Sequence, residues 1–486
     1  MPRATKIVAT IGPASSEPDV LARMIAAGVD VVRLNFSHGT VEDHKLRCDR
    51  VRAAARNAGR EVAIMGDLQG PKIRIGKFAG DKVELQADAS FVLDASLDGL
   101  GDSSQVGLDY KELPRDVKPG DVLLLNDGLI ELVADRIEGE RIYTTVHVGG
   151  ELSNNKGINR QGGGLTAPAL TVKDMDDIKT AIALGVDYLA VSFPKNATDM
   201  TMARQLANAA ADEAKTARPL LIAKIERAEA IPALQEILDV SDGIMVARGD
   251  LAVEVGNAAV PALQKRMIKL ARASNKLTIT ATQMMESMIV NAIPTRAEVS
   301  DVANAVLDGT DAVMLSAETA SGRYPVGVVK AMADIVTAAD ESESVELDSE
   351  FLNKTFARVD QSIAYGALFT AYHLRCKAIV ALTDSGSTAL WMSRHDVDIP
   401  IVALTPRLPT LRKLALFRNV RAFELGESSD RDAALGEAVQ LLLRKQVVTS
   451  GDLIVITIGE PMGQAGGTNT LKIVKVGELL ARASGV

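Results

Sequence analysis

The stretch that decides the fold is Gly28-Val29-Asp30-Val31-Val32-Arg33-Leu34-Asn35, in which a glycine turn leads into a short apolar run that ends on polar side chains. The same pattern returns three times, as GVDYLAV from Gly185, SDGIMVA from Ser241 and GTDAVML from Gly309. Each run is typical of a buried strand that is entered from a turn. A unit repeated in this way predicts strands that alternate with helices in one parallel sheet.

Eight apolar runs of this type lie within the first 340 residues, and segments with helical spacing lie between several of them. Four of these segments have the pattern of a capping box, at Ser16, Thr40, Thr171 and Thr295, where an acidic residue follows three positions later. Eight alternations predict an α/β fold built on a closed parallel (β/α)8 barrel, and an open doubly wound sheet is the alternative. The predicted strands are 7–9, 31–34, 62–65, 189–191, 221–223, 244–246, 277–279 and 313–315.

The rest of the chain predicts two further domains. Between residues 71 and 167, short alternating runs separated by Gly, Pro and Asp indicate a small β-barrel or sandwich inserted in a loop of the barrel. Three glycines at 162–164 are typical of a hinge or, equally, of a tight surface turn. After an acidic, serine-rich linker at 340–344, strands near 378–382, 401–404, 420–423 and 453–457 indicate a C-terminal α/β domain. We therefore expect the barrel at 1–70 and 168–340, the inserted lid domain at 71–167 and the C-terminal domain at 345–486.

Composition excludes several classes of partner. Among 486 residues, 54 basic and 63 acidic side chains give a formal charge of −9, and aromatic residues make up only 3%. Such a chain is not expected to bind nucleic acid or an anionic membrane surface. It contains no run of about 18 apolar residues and does not begin with the pattern of a signal peptide. Its two cysteines, Cys48 and Cys376, suit a reducing compartment, so we expect a cytoplasmic protein.

Polar side chains follow nearly every predicted strand, and a barrel places those strand ends on one rim, where such folds carry their active sites. A spacing of two residues presents side chains on the same side of an extended chain. Two carboxylates suit a hard divalent cation such as Mg²⁺, with Mn²⁺ as a substitute, and flanking cations suit a transferring phosphoryl group. The alternative is that these charges form only salt bridges along the rim. The residues concerned are Arg33, Asn35 and Ser37, then Lys224 and Glu226, and then Arg248-Gly249-Asp250.

Taken together, these strings resemble those of the pyruvate kinases. The resemblance runs over almost the whole chain, which makes it far more specific than any single motif. It implies transfer of a phosphoryl group from phosphoenolpyruvate to ADP, giving pyruvate and ATP in the last step of glycolysis, and it implies a homotetramer. The strings are TKIVATIGPAS at 5–15, RLNFSHG at 33–39, AKIE at 223–226, MVARGDL at 245–251, ATQMMESM at 281–288 and PTRAE at 294–298.

The resemblance also implies a role for each residue of the rim. Glu226 and Asp250 would hold the Mg²⁺, and Lys224 and Arg33 would stabilise the transferring phosphoryl group. The substrate carboxylate would be received by the amides of Gly249 and Asp250 with the Thr282 hydroxyl, and Thr282 with a bound water is also the candidate proton donor to the enolate. The nucleotide contacts would be Thr10, Pro13, Arg33, Asn35, His38 and Arg74 in the barrel, with Asp127 and Lys156 from the inserted domain closing as a lid.

One segment differs from the form of the family that requires K⁺. In that form a monovalent cation is held by groups that match Asn35, Ser37, Asp67 and the backbone of Leu68, and a glutamate stands at the place of Lys72. Like charges about 4 Å apart repel by roughly 4 kcal/mol at an effective dielectric of 20. We therefore expect the Lys72 ammonium to replace the cation, so that K⁺ is not required. The alternative is that Lys72 points to solvent and K⁺ binds regardless.

The C-terminal domain resembles the regulatory domain of the family. Hydroxyl and amide groups at a helix start make an anion pocket, and the matching loop in the family binds the phosphate of an allosteric sugar phosphate; an ordinary helix cap is the alternative. A sugar monophosphate is expected, and a glycine-rich loop from Gly459 to Gly467 would close over it. A Mg²⁺-dependent barrel lyase that acts on pyruvate-type enolates, and an inactive sugar-phosphate-binding protein, are the competing functions. The predicted effector residues are Thr383, Ser385, Gly386, Ser387 and Thr388.

Overall fold

The structure is a computed structural model that describes residues 3–342, 355–428, 430–462 and 466–478. The first part of the chain alternates strictly between strand and helix. Its elements are β1 (Lys6–Thr10), α1 (Pro18–Ala27), β2 (Val31–Asn35), α2 (Val41–Asn57) and β3 (Ala63–Asp67).

A β-rich segment follows β3. It forms a six-stranded sheet and a separate two-stranded sheet, in which antiparallel pairs predominate. The elements are β4 (Lys82–Leu85), β5 (Ser90–Asp94), β6 (Gln105–Gly107), α3 (Leu113–Asp116), β7 (Val122–Leu125), β8 (Ile130–Glu138), β9 (Arg141–Val148), β10 (Gly150–Ser153) and β11 (Ile158–Arg160).

The strand–helix alternation then resumes and completes the barrel. The elements are α4 (Val172–Ala183), β12 (Tyr188–Val191), α5 (Ala197–Ala214), β13 (Leu220–Ile225), α6 (Leu234–Val240), β14 (Gly243–Ala247), α7 (Arg248–Val255), α8 (Val260–Ala273), β15 (Leu277–Ala281), α9 (Arg296–Leu307), β16 (Ala312–Leu315), α10 (Ala317–Ala320) and α11 (Pro325–Ser342).

The C-terminal part contains one five-stranded sheet with the strand order β19-β18-β17-β20-β21. All its strands run parallel except β21, which pairs antiparallel with β20. The elements are α12 (Val359–His373), β17 (Ala378–Leu382), α13 (Ser387–Met392), β18 (Ile401–Thr405), α14 (Leu408–Lys413), β19 (Val420–Glu424), α15 (Arg431–Arg444), β20 (Leu453–Gly459) and β21 (Thr468–Lys475).

The eight predicted barrel strands are confirmed, and they close in the order β1-β16-β15-β14-β13-β12-β3-β2. The first strand pairs in parallel with both β2 and β16, which excludes an open sheet. Apolar side chains fill the barrel interior, among them Met65, Tyr188, Ile222 and Met245. A second apolar layer lies between the strands and the surrounding helices. Because every strand is parallel, all the polar strand ends meet at one rim.

Three of the four predicted capping boxes are confirmed, at Thr40, Thr171 and Thr295. The prediction at Ser16 is wrong. The first helix begins one residue later, after Glu17, with Pro18 at its first position. The hydroxyl of Ser16 instead donates to the carbonyl of Gly12 at 2.6 Å. Proline suits a first helical position because its missing N–H is not needed there.

The C-terminal domain packs against the amino-terminal face of the barrel, opposite the polar rim. The guanidinium of Arg394 forms a buried ion pair with Asp311 and donates to the carbonyl of Lys276 at 2.6 Å. On the same face, the ammonium of Lys6 donates to the carbonyl of Val420 at 2.7 Å. The linker prediction is wrong for residues 340–342, which form the end of α11. The rest of that linker and the domain boundaries stay predictions, since 343–354 lie outside the described residues.

Candidate active site

One buried carboxylate joins the two predicted catalytic cations. The Nε of Arg33 donates to Oδ2 of Asp67 at 2.5 Å, and the Nζ of Lys224 lies 3.2 Å from Oδ1 of the same residue. Asp67 is the last residue of β3 and is fully buried. A charge at this depth has to be paired, because transfer from water is costly. Asp67 therefore fixes the spacing between Arg33 and Lys224, a role that the sequence prediction did not assign to it.

These charges set the protonation of the cluster. Burial alone would raise the pKa of Asp67, but the charges of Arg33 and Lys224 outweigh it and hold the pKa below its ordinary value. Burial would lower the pKa of Lys224, whereas Asp67 and Glu226 raise it above its ordinary value. At neutral pH the cluster therefore contains a carboxylate at Asp67 and an ammonium at Lys224.

Glu226 is the second carboxylate beside Lys224. Its Oε1 lies 3.1 Å from the Lys224 ammonium, and its Oε2 accepts a hydrogen bond from the backbone N–H of Phe193 at 3.0 Å. Burial raises the pKa of Glu226; the Lys224 charge opposes this, and the nearby Asp250 carboxylate adds to it. Two carboxylates that repel each other in this way suit a divalent cation, which relieves the repulsion. The pair of Glu226 and Asp250 therefore fits Mg²⁺.

Lys224 has a further partner that the sequence analysis did not assign to the site. Its ammonium donates to the Oγ of Ser192 at 2.7 Å, and that hydroxyl donates to the carbonyl of Leu68 at 2.8 Å. Ser192 directly follows β12, the neighbour of β13 in the barrel. Its place after a strand was the available signal, because that is the pattern shared by the other rim residues.

The segment Arg248-Gly249-Asp250 opens α7 at the rim. The guanidinium of Arg248 donates to the carbonyl of Thr282 at 2.7 Å and to Asp301 at 2.7 Å, which anchors the start of the helix. The N–H of Gly249 donates to the Oγ1 of Thr282 at 2.8 Å. That hydroxyl in turn donates to the carbonyl of Ala281 at 2.6 Å. The groups predicted to receive the substrate carboxylate are therefore adjacent and bonded to each other.

Thr282 itself is held in an unusual backbone conformation. Its φ is +68°, and the next residue, Gln283, has a φ of +56°. The left-handed region is disfavoured for a β-branched residue, so surrounding contacts have to maintain it. The bonds from Arg248 and Gly249 to Thr282 are among those contacts.

Lys72 reaches from the loop after β3 into the site. Its ammonium lies 3.3 Å from the Oδ1 of Asp250 and 4.0 Å from the Oδ1 of Asp127. Its side chain is 29% exposed. A fixed positive charge therefore lies beside one of the two carboxylates that fit the metal, and the inserted domain contributes Asp127 to the same cluster.

The remaining residues of the predicted monovalent-cation region lie at the ends of β2 and β3. The Oδ1 of Asn35 accepts a hydrogen bond from the N–H of Ser37 at 3.1 Å. The carbonyl of Leu68 accepts from Ser192, as described above, and its N–H donates to the carbonyl of Ala190 at 3.0 Å. The carboxylate of Asp67 is paired with Arg33 and Lys224.

The predicted nucleotide residues differ in their surroundings. The hydroxyl of Thr10 accepts from Nη1 of Arg33 at 3.0 Å, so it orients that guanidinium. Pro13 and His38 are exposed on rim loops. Arg74 was expected in the barrel, but its backbone bridges to Gly157 and its guanidinium donates to the carbonyl of Asn155 at 2.9 Å, which places it in the inserted region.

The two nucleotide residues expected from the inserted domain also differ. Asp127 is exposed and faces Lys72, with a φ of +57°. Lys156 lies between β10 and β11, and its carbonyl accepts a hydrogen bond from the N–H of Ile75 at 2.9 Å. Of these two residues, only Asp127 has a side-chain ion pair with a residue of the rim cluster.

A cavity of about 430 Å³ opens at the carboxyl ends of β17, β18 and β20. Of the five predicted effector residues, Thr383 and Ser387 line it. The Oγ of Ser385 donates to the Oγ of Ser387 at 3.1 Å, and the N–H of Gly386 donates to the Oγ1 of Thr383 at 2.9 Å. Thr388 is buried.

Other residues of the cavity were not predicted. Arg407 lies 2.8 Å from Glu427 and 3.7 Å from Asp384, and all three line the cavity. The hydroxyl of Thr388 is 2.8 Å from that of Thr468. In the predicted closing loop, Gly459 and Gly466 line the cavity, whereas 463–465 lie outside the described residues.

In the part of the chain that the structure describes, no group of three or more His, Cys, Asp or Glu residues is arranged to hold a metal ion by itself. A metal at the rim would therefore depend on substrate oxygens or water in addition to the two carboxylates. Among the described helices, none is both long enough and apolar enough to cross a bilayer.

Comparison with known proteins agrees with this geometry. Residues 2–329 match the family model "Pyruvate kinase, barrel domain", and residues 361–474 match "Pyruvate kinase, alpha/beta domain". The chain is 51% identical to pyruvate kinase II of Salmonella typhimurium over 98% of this chain and 99% of that protein. It is 50% identical to a pyruvate kinase of Haemophilus influenzae over 94% and 96% of the two chains. The crystal structure of a pyruvate kinase from Cryptosporidium parvum superposes with a TM-score of 0.90 at 32% identity, over 98% of this chain and 96% of that one.

Proposed function

The chain belongs to the pyruvate kinase family and transfers the phosphoryl group of phosphoenolpyruvate to ADP, and from that premise we propose which of its side chains perform the reaction. The assignment rests on one observation, the buried cluster in which Arg33 and Lys224 share Asp67. Glu226 and Asp250 lie beside this cluster. Both signs of charge are therefore concentrated where the barrel opens.

In this reaction an oxygen of the terminal phosphate of ADP attacks the phosphorus of phosphoenolpyruvate. The bond from phosphorus to the enol oxygen breaks, and its electron pair remains on the enolate of pyruvate, which then takes a proton at carbon. Lys224 neutralises charge on the moving phosphoryl group and on the enolate oxygen, and Arg33 acts on the phosphoryl group. Because Asp67 and Thr10 already hold Arg33, no reorganisation of that side chain is needed in the transition state.

The carboxylate of the substrate is received by the N–H groups of Gly249 and Asp250 and by the hydroxyl of Thr282. Binding exchanges the internal bond between Gly249 and Thr282 for bonds to the carboxylate. The Gly249 N–H and the Thr282 hydroxyl are therefore satisfied before the substrate binds and remain so afterwards, which avoids the cost of unpaired polar groups.

Glu226 and Asp250 would hold Mg²⁺ or Mn²⁺, and this ion would supply positive charge to the substrate oxygens. Lys224 and Lys72 are the counter-ions of these two carboxylates in the protein alone. The protein alone therefore neutralises these two carboxylates, and the charge of a bound metal would be balanced by the anionic substrates.

A lactate-dehydrogenase-coupled assay with phosphoenolpyruvate, ADP and Mg²⁺ tests the proposal. Turnover that requires all three is expected. The variants Glu226→Gln and Asp250→Asn should raise the concentration of Mg²⁺ that gives half-maximal rate at least about tenfold, the loss of roughly 1.4 kcal/mol of binding. Asp239→Asn, at an exposed position on the outer helices, is the matched control. An unchanged Mg²⁺ requirement in the first two variants would reject the metal assignment.

The enzyme is proposed not to require K⁺. Lys72 supports this, because its ammonium forms an ion pair with Asp250 at 3.3 Å and supplies a fixed positive charge at the rim. Asp67, one of the groups predicted to hold K⁺, is already paired with Arg33 and Lys224. Rates measured in tetramethylammonium buffer should change little on addition of KCl, and strong activation by K⁺ would reject the proposal.

The cavity of the C-terminal domain is proposed to bind a sugar monophosphate that regulates activity. The cavity is lined by the hydroxyls of Thr383 and Ser387 and by the guanidinium of Arg407, groups that suit a phosphate. Titration of ribose 5-phosphate and of glucose 6-phosphate should lower the concentration of phosphoenolpyruvate needed for half-maximal rate in at least one case. No shift with either compound would remove the proposal.

The assembly and location are proposed from the family and from composition. A homotetramer is expected, and light scattering coupled to size-exclusion chromatography measures its mass. A cytoplasmic location is supported by the two free cysteines, Cys48 and Cys376, both buried. Fractionation of cells that produce the protein would test it.

A further inference from the structure

The end of α7 makes contacts that the mechanism above does not use. Glu254, four residues after Asp250, is only 5% exposed, and its Oε2 accepts a hydrogen bond from the N–H of Ala228 at 2.7 Å. Ala228 lies two residues after Glu226. The Glu254 carboxylate therefore joins the helix that carries one proposed metal ligand to the loop that carries the other.

Glu254 also contacts the exit of the inserted domain. Its carbonyl accepts a hydrogen bond from the N–H of Gly162 at 3.0 Å, and its side chain lines the same small pocket as Asn159. Asn159 belongs to β11, and Gly162 begins the glycine turn that follows it. Glu254, which belongs to α7, thus connects this helix to two other segments, the loop after β13 and the exit of the inserted domain.

Burial of the Glu254 carboxyl group makes its hydrogen bonds important for stability. Burial raises the pKa of its carboxyl to about 7, and the N–H of Ala228 and the charge of Arg227 oppose this rise. A carboxyl group so far from water is costly unless donors surround it. The donors come from segments that are distant in sequence. Their bonds to Glu254 therefore favour the one arrangement in which all three segments are docked.

Glu229 provides a natural comparison, since its carboxylate is hydrogen bonded to the same turn. Its carboxylate accepts a hydrogen bond from the N–H of Gly164. A Cβ placed on Gly163, whose φ is +76°, would lie 2.4 Å from the Glu229 Oε2, so the turn packs directly on this carboxylate. Glu229 docks the turn onto the barrel but does not bridge the two proposed metal ligands.

We propose that Glu254 is a positioning residue that couples docking of the inserted domain to the spacing of Glu226 and Asp250. The inference rests on the proposed role of these two residues as the Mg²⁺ ligands. When the exit of the inserted domain is docked, α7 and the loop after β13 are held together and the two carboxylates have their binding distance. When it is released, the same bonds no longer hold them.

Three variants of the full-length enzyme separate coupling from simple docking. Glu254→Ala removes the bridge, Glu254→Gln keeps an acceptor for the N–H of Ala228, and Glu229→Ala removes only the docking of the turn. Three quantities are measured for each variant. They are Mn²⁺ binding by electron paramagnetic resonance without substrates, amide hydrogen exchange at residues 156–166, and the coupled rate, which gives kcat and the Mg²⁺ concentration at half-maximal rate. Thermal unfolding by circular dichroism confirms that each variant is folded.

Glu254→Ala is expected to weaken Mn²⁺ binding about tenfold or more, to raise the half-saturating Mg²⁺ by a similar factor and to speed exchange at 156–166. Glu254→Gln should stay within about threefold of the unmodified enzyme. Glu229→Ala should speed exchange and weaken Mn²⁺ binding by a clearly smaller factor than Glu254→Ala, because the hydrogen bond between Ala228 and Glu254 remains.

Three results would overturn the inference. Unchanged Mn²⁺ binding in Glu254→Ala would assign this residue a docking role only. If Glu254→Gln weakened Mn²⁺ binding as much as Glu254→Ala does, the charge of Glu254 and not its hydrogen bond would set the metal affinity. Equal weakening in Glu229→Ala would show that docking alone sets metal affinity. Asp250→Asn, measured alongside, reports separately on the metal assignment, since unchanged Mn²⁺ binding there would reject the ligand itself.

Discussion

Replacement of Lys224 by methionine tests the centre of the site, because it removes one charge and nearly preserves the length of the side chain. The ammonium lies 3.2 Å from Asp67 and 3.1 Å from Glu226. At an effective dielectric of 20, each contact corresponds to roughly 5 kcal/mol of Coulomb attraction before desolvation is counted. Loss of one partner from a buried ion pair costs about 3–5 kcal/mol of stability. We therefore expect Lys224→Met to unfold at a lower temperature.

The effect on activity is expected to be larger than the effect on binding. Removal of one preorganised donor from a transition state lowers kcat by about 10²–10³, or roughly 3–4 kcal/mol. Lys224 carries a full charge, so the upper end of this range is expected. Arg33 and the amide of Gly249 still bind the ground state, and half-saturating phosphoenolpyruvate should change by less than about fivefold.

The assay is the coupled measurement of initial rate against phosphoenolpyruvate at saturating ADP and Mg²⁺, at a temperature where circular dichroism shows the variant folded. Lys82→Met is the matched control, because Lys82 is 60% exposed and forms a surface ion pair with Glu151. It should behave like the unmodified enzyme. A folded Lys224→Met enzyme that retained more than about a tenth of kcat would refute the reasoning, since the loss would be below the range for one donor.

Three further outcomes concern stability and ion dependence. Burial lowers the pKa of Lys6 to about 8 from 10.5, so between these two pH values the unfolded chain binds more protons than the folded one. The free energy of unfolding should therefore rise with pH in this window, by up to about 3 kcal/mol relative to Lys6→Met. Urea unfolding across the window measures this rise, and a difference between the two proteins that does not depend on pH would contradict it. Thr40→Ala should cost about 1 kcal/mol of unfolding free energy, because it removes the capping box with Asp43, whereas Thr40→Ser should not. Lys72→Glu should make the rate depend on K⁺, because it exchanges an ammonium beside Asp250 for a carboxylate. Equal rates with and without K⁺ would contradict the proposal that the Lys72 ammonium replaces the cation.

The barrel could be predicted because its signals are local. Each strand is a short apolar run bounded by turns, and the periodicity is visible within ten residues. Signals that depend on partners were less reliable. The strand β21, at Thr468–Lys475, lies at a sheet edge, begins with three polar residues and has no regular alternation, so it was not predicted; it is defined by its antiparallel pairing with β20. The capping motif at Ser16 is present, yet the helix starts after Glu17 with Pro18 at its first position, and the Ser16 hydroxyl donates to the carbonyl of Gly12.

The sequence by itself determined the barrel and the types of charge on its rim, since strand periodicity, turns and residue identity are all written locally. Only the tertiary structure decided how these charges pair. Asp67 binds both Arg33 and Lys224 because barrel closure places β3 between β2 and β12, with β13 next in order. Lys72 reaches Asp250 because the chain leaves the barrel after β3 at the same rim. The order of strands around a closed sheet brings distant residues together, and no spacing along the chain specifies it.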